Sequence, residues 1–82
     1  MGPLTAASRR IPALTPMQRD IVRLLQAGQS DQEIGVRLRC ARTRVQKRIG
    51  DIYRRLDVTG CANPRTVAAV ALWLADERER AG

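Results

Sequence analysis

The chain contains no histidine and no phenylalanine, and Tyr53 and Trp73 are its only aromatic residues. Without histidine, the side chain best suited to acid–base work near neutral pH is missing. Asp20, Asp31, Glu33, Asp51 and Asp57 show no convergent spacing, and each reads more simply as a capping or surface residue. No glycine-rich phosphate loop occurs, so an enzyme is not expected. The shortage of aromatics argues against readers of RNA and single strands, which stack bases on aromatic platforms. Cys40 and Cys61 are the only thiols. Two cysteines without histidine cannot complete a zinc site within one chain. The simpler reading is two small buried hydrophobes in a reducing compartment, and no cofactor or metal is expected. The longest apolar run, Val67 to Ala75, is nine residues, against the roughly 20 needed to span a bilayer. No apolar stretch follows Arg9 and Arg10 as it would in a secretory signal. These absences lead to the expectation of a cytoplasmic protein with no membrane partner.

What is present is positive charge. Fifteen basic residues against eight acids give a net charge of +7 over 82 residues, enough for one small domain with a thin stability margin. Long-range attraction to a polyanion follows from that balance. Its distribution says more than its total. Between Arg39 and Arg55 stand seven basic residues and one acid, Asp51.

Residues 1–13, punctuated by Gly2, Pro3 and Pro12, lack an apolar period and read as a flexible arm, whose Arg9-Arg10 pair is either solvated or in touch with phosphate. Residues 14–80 read as one all-α domain. Thr15, Pro16 and Gln18 form a Thr-x-x-Gln start for a first helix. Its buried stripe is Met17, Ile21, Leu24 and Leu25 with Val22, and Gly28 ends it. Ser30 and Glu33 repeat the capping logic for a second helix, with Ile34 and Leu38 facing inward. Gly35 lies inside that helix, where glycine costs about 1 kcal/mol relative to alanine. A close approach of another backbone is the simplest reason for it. After a turn near Arg39 to Ala41, a third helix runs from Arg42 to Leu56. Val45, Ile49, Ile52 and Leu56 fall within about 60 degrees of one another on it, opposite Thr43, Arg44, Lys47, Asp51 and Arg54. A loop from Asp57 to Asn63 leads to a fourth helix, started by Asn63-Pro64 and running to about Glu79. Its inner stripe is Val67, Val70, Ala71 and Leu74, with Leu72 and Trp73 partly off it. The alternating charges of Asp76 to Arg80 read as a solvated helical end.

A short helix, a tight turn and a basic helix is the helix-turn-helix order, whose second helix enters the major groove. A generic helical bundle with a solvated basic face is the bland alternative to this pattern alone. The motifs go further. Leu14-Thr15-Pro16, Ile21-Val22 with Leu24-Leu25, Gly28-Gln29-Ser30-Asp31-Gln32-Glu33-Ile34 and Leu38 resemble the opening of the LuxR/GerE-type helix-turn-helix domain. Val45 to Leu56 with Val58 resembles its recognition helix, and Arg65-Thr66 with Val67 and Ala68 the start of its last helix. The match covers about Leu14 to Leu74 and runs without a gap from Gly28 through Val58.

The resemblance implies a four-helix bundle that binds double-stranded DNA as a transcription regulator, the third helix in the major groove and the fourth pairing two monomers into a homodimer. It implies base contacts at Gln46, Lys47 and Gly50, the last with no side chain to offer. It implies phosphate contacts at Ser30, Arg42, Thr43, Arg44, Arg48 and Arg54. Leu72 and Trp73 become dimer-interface candidates, or else one partly exposed edge of the core. Ala41 stands where the family usually has serine, Arg44 for threonine, Gln46 for lysine and Arg48 for histidine, and the loop from Val58 to Arg65 is about four residues longer. With 13 residues ahead of the first motif, a stand-alone domain without an upstream sensing module is expected. A second reading, favoured by Ala41, Gly50 and the long loop, is an adaptor that docks its helix-turn-helix on RNA polymerase, a sigma factor or another regulator.

Overall fold

Five α-helices and one 3-10 turn make up residues 2–82, which the structure, a computed structural model, describes. They are α1 (Pro3–Arg10), the 3-10 turn Ile11–Ala13, α2 (Pro16–Gln26), α3 (Asp31–Leu38), α4 (Arg42–Leu56) and α5 (Pro64–Ala81). The four helices expected from the sequence are α2 to α5. Their starts follow the capping chemistry. Thr15 Oγ1 accepts from the Gln18 N–H at 3.1 Å, and the Thr15 N–H donates to Gln18 Oε1 at 3.0 Å. Asn63 Oδ1 accepts from the Thr66 N–H at 3.4 Å, with Pro64 at the first helical position. Each such bond satisfies an amide that the helix itself leaves unpaired.

The arm expected over residues 1–13 is instead helical and packed. Ala7 and Ile11 are fully buried, and α1 lies along α5. Eight residues are too few to hold a helix in water alone, so α1 exists through that contact. Buried Ser8 donates to the Thr5 carbonyl at 2.7 Å and accepts from Arg78 Nη2 at 2.7 Å, which latches α1 to α5. Met1, part of the expected arm, lies outside the described residues.

The core joins Ile21, Val22 and Leu25 of α2, Ile34 of α3, the Val45, Ile49, Ile52 and Leu56 stripe of α4, and Val58. Met17, expected inside, is about half exposed, because α2 rotates its Ile21–Val22–Leu25 side inward. On α5 the buried stripe is Ala68, Ala71, Leu72 and Ala75 rather than Val67, Val70, Ala71 and Leu74. The helix is held between α1 and α2, and this two-sided packing sets its rotation. On the α2 side, Asp76 pairs with Arg23 at 3.0 Å and with Arg19 at 3.5 Å, and Glu79 pairs with Arg19 at 2.7 Å. The chain end expected to be solvated is thus tied to α2 and α1. Arg23, and then Arg19, hold the Asp76 carboxyl below its usual 3.8. No helix among the described residues is long and apolar enough to cross a membrane.

Candidate nucleic-acid interface

The α3–turn–α4 unit begins at Ser30. Its Oγ accepts from the Glu33 N–H at 3.1 Å, and its own N–H donates to Glu33 Oε1 at 2.8 Å. The backbone and hydroxyl of Ser30 hold the Glu33 carboxyl below its usual 4.5. At the far end, Arg39 takes the left-handed conformation (φ 56°, ψ 46°), and the Cys40 N–H donates to the Gly35 carbonyl at 2.9 Å. This closes the helix in the way glycine usually does, here with an arginine that projects into solvent. Gly35 is where the two helices meet. A Cβ at that position would lie 2.8 Å from the Cys40 carbonyl oxygen and 3.5 Å from Val45 Cγ2. The close backbone approach expected from the sequence is therefore present. Cys40 and Cys61 are free, half-buried thiols packed against the core.

α4 is anchored by its apolar stripe, which leaves Thr43, Arg44, Gln46, Lys47, Asp51 and Arg54 exposed on the opposite side. Gly50 lies in the middle of that side, one turn from Gln46, Lys47 and Arg54. A Cβ there would meet only Arg54 Nη1, at 3.7 Å, so packing does not demand glycine. Ala41 gives α4 no side-chain cap. The ion pairs sort the basic residues. Arg19 and Arg23 are matched to Asp76 and Glu79, Arg54 to Asp51, Arg65 to Asp31 and Arg80 to Glu77. Arg42, Arg44, Lys47 and Arg48 have no acidic partner among the described residues. Arg48 donates instead to Met17 Sδ at 3.0 Å, and Arg55 donates to the Ala13 carbonyl at 3.1 Å. The first three turns of α4 thus carry unneutralised cations, as do Arg9, Arg10, Arg37, Arg39, Arg55 and Arg78, while the α2 cations Arg19 and Arg23 and the α5 cations Arg65 and Arg80 are paired. A helix of 15 residues is about 22 Å long, and the major groove admits one such helix.

The model of the luxR family of bacterial regulatory proteins, GerE, matches residues 12–70. The chain belongs to the LuxR family. Comparisons with curated proteins and with solved structures returned no match. Membership makes this a helix-turn-helix domain of DNA-binding transcription regulation, in a family that is not enzymatic. The matched stretch contains α2, α3, α4 and the first part of α5, while α1 lies outside it.

Within the LuxR-type domain, the residues implied as base contacts, Gln46 and Lys47, are exposed side by side on α4, with Gly50 one turn on. Of the implied phosphate contacts, Ser30 and Arg42 line one open groove together with Gln29, Asp31, Arg65 and Thr66. Arg48 lines a second, with Thr15, Met17, Gln18 and Asp51. Thr43 and Arg44 stand in solvent at the start of α4. Arg54 is the outlier, because its guanidinium is engaged by Asp51. The two dimer candidates separate as well. Leu72 is fully buried in the monomer core, because the inner stripe of α5 falls on it, and it has no surface to give a partner. Trp73, next to it, is 55% exposed, and Val70 and Leu74 are half-buried. Arg39 and the Arg65–Asp31 pair belong to the neighbourhood but were not singled out as site residues. Arg39 was visible only as one member of the basic run, and the pairing of Arg65 across 34 residues leaves no local signal.

Proposed function

We propose that this domain reads duplex DNA sequence-specifically, with the first three turns of α4 in the major groove. The observation that carries the reading is the set of unpaired cations Arg42, Arg44, Lys47 and Arg48 on an exposed helix whose other face is locked into the core. Lysine and arginine at a groove-bound helix bond to guanine edges and phosphate oxygens. Gln46 and Lys47 take the base edges, and Gly50 lets the helix backbone come close. Ser30, Arg42, Thr43, Arg44 and Arg48 take phosphates, and Arg54 contributes where a phosphate displaces Asp51. Two copies pair through the open side of α5, centred on Trp73, so that the recognised site is a two-fold repeat.

Selection of bound duplexes from a random pool at about 150 mM salt, where weak non-specific binding is suppressed, tests this directly. Enrichment of an inverted repeat is the expected result. Enrichment of a single half-site would leave the reading of DNA standing and remove the dimer. Binding that vanishes with salt and enriches nothing would favour the adaptor reading. For that reading the specific support is Val36, an apolar residue 76% exposed on the outer side of α3, which a protein partner would cover.

A further inference from the structure

We infer that Arg65 is a positioning residue for DNA binding: it clamps the backbone and carboxylate on either side of Ser30 and cancels the acidic charge of Asp31 in the groove that Ser30 and Arg42 line. The inference rests on the proposed reading of duplex DNA by α4.

The geometry is specific. Arg65 Nη2 donates to the Gln29 carbonyl at 2.7 Å, and Nη1 donates to Asp31 Oδ1 at 3.0 Å. The two acceptors flank Ser30 in the chain, so the planar fork of one guanidinium brackets the residue that caps α3. A guanidinium presents paired donors in fixed directions, whereas a lysine ammonium is a point charge that cannot reproduce such a bracket. Both bonds are partly buried, and they join the start of α5 to the turn between α2 and α3. Tyr53 of α4 feels the same group: burial pushes its phenol above the usual 10.0, against the pull of the Arg65 charge. One side chain therefore ties the α2–α3 turn to the start of α5.

Helix electrostatics by itself disfavours this placement. Arg65 is in the first turn of α5, which has no acidic residue, and a cation there opposes the positive end of the helix dipole. Its long-range partners offset that cost. Asp31 gives the second half of the argument. It lines the same groove as Ser30 and Arg42, and an unpaired carboxylate in that place would repel a phosphate. With Arg65 across it, the groove presents Ser30, the α3 amide end and the unpaired Arg42.

The test uses the full chain and a duplex recovered by selection, alongside a scrambled duplex, at a temperature where circular dichroism shows every variant folded. Arg65→Ala should weaken binding to the selected duplex by about tenfold, as expected for loss of a charge-assisted bond, and should weaken scrambled DNA too, because Asp31 is left unpaired beside phosphate-contacting groups. Arg65→Lys restores the charge but not the bracket. It should recover scrambled-duplex affinity and leave the selected-duplex affinity low. Amide exchange at Ser30 and Asp31 should quicken in both variants. If Arg65→Ala does not fold, Arg65→Lys alone decides, through the ratio of selected to scrambled affinity. Full recovery of both affinities by lysine would overturn the inference by reducing Arg65 to a charge, and unchanged binding by a folded Arg65→Ala would overturn it outright. A wild-type chain with no duplex preference would instead overturn the underlying reading of DNA, a result that Lys47→Ala separates by leaving binding unchanged as well.

Discussion

Substituting Gly35 by valine should loosen the α3–α4 unit by an amount that the structure bounds. The added Cβ would sit 2.8 Å from the Cys40 carbonyl oxygen, a backbone atom that cannot swing aside, and 3.5 Å from Val45 Cγ2. Gly35 is buried, and the Cys40 N–H is already committed to the Gly35 carbonyl at 2.9 Å. The turn must therefore move as a unit. Replacing glycine in a helix recovers only a few tenths of a kcal/mol for a β-branched residue. Overpacking a close contact costs typically 1–3 kcal/mol, and the two further methyl groups push the sum toward the upper part of that range. The net loss is about 2 kcal/mol, which for a domain of this size lowers Tm by roughly 8–16 °C. Thermal unfolding followed at 222 nm reads it. Gly35→Ala adds the Cβ alone and gains up to about 1 kcal/mol of helix propensity, so its loss should be clearly smaller. A valine variant melting within about 2 °C of wild type, well inside the shift that 1 kcal/mol produces, would show that the Gly35–Cys40 approach does not constrain the turn.

Three further outcomes are expected. Ala41→Ser supplies the side-chain cap that α4 lacks, at a residue whose backbone already has the extended conformation (φ −66°, ψ 149°). It should raise stability by about 1 kcal/mol in the same melting assay. Asp76, held below its usual 3.8 by Arg23 and Arg19, contributes stability that is complete above that value and is lost as pH falls through its lower folded-state pKa. Asp76→Asn should therefore be less stable near neutral pH but show a shallower acid limb below about pH 4 in pH-dependent urea unfolding. Lys47→Ala, at an exposed position, should leave Tm unchanged while costing about 1–3 kcal/mol of affinity for a selected duplex by titration.

The parts of this fold written in local sequence were readable, and the parts made by distant contacts were not. Thr15–Gln18, Ser30–Glu33 and Asn63 announce helix starts because the capping partner is three residues away. The α4 stripe is readable because its apolar residues recur strictly and everything opposite is polar. Gly35 is readable because a glycine inside a helix requires a reason. α1 is not, since Ala7 and Ile11 are a single helical pair and the helix depends on α5 to exist. The rotation of α5 is also hidden. From Val67 to Ala75 every residue is apolar, so periodicity cannot choose a side, and packing between α1 and α2 selects Leu72 for the core and leaves Trp73 outside. The candidate site follows the same division. The exposed cations of α4 are legible from their spacing, but which cations are neutralised is decided by Asp51 for Arg54 on α4 and by Asp31 for Arg65 on α5.

Amide chemical-shift mapping of the full chain during titration with a selected duplex tests most directly whether α4 is the DNA-reading surface. Saturable shifts concentrated at Ser30 and from Arg42 to Asp51, with little change on the α1 side, are the expected result. Shifts concentrated on α1 or α5 that leave Gln46 and Lys47 unmoved would contradict it and place DNA on another face of the domain.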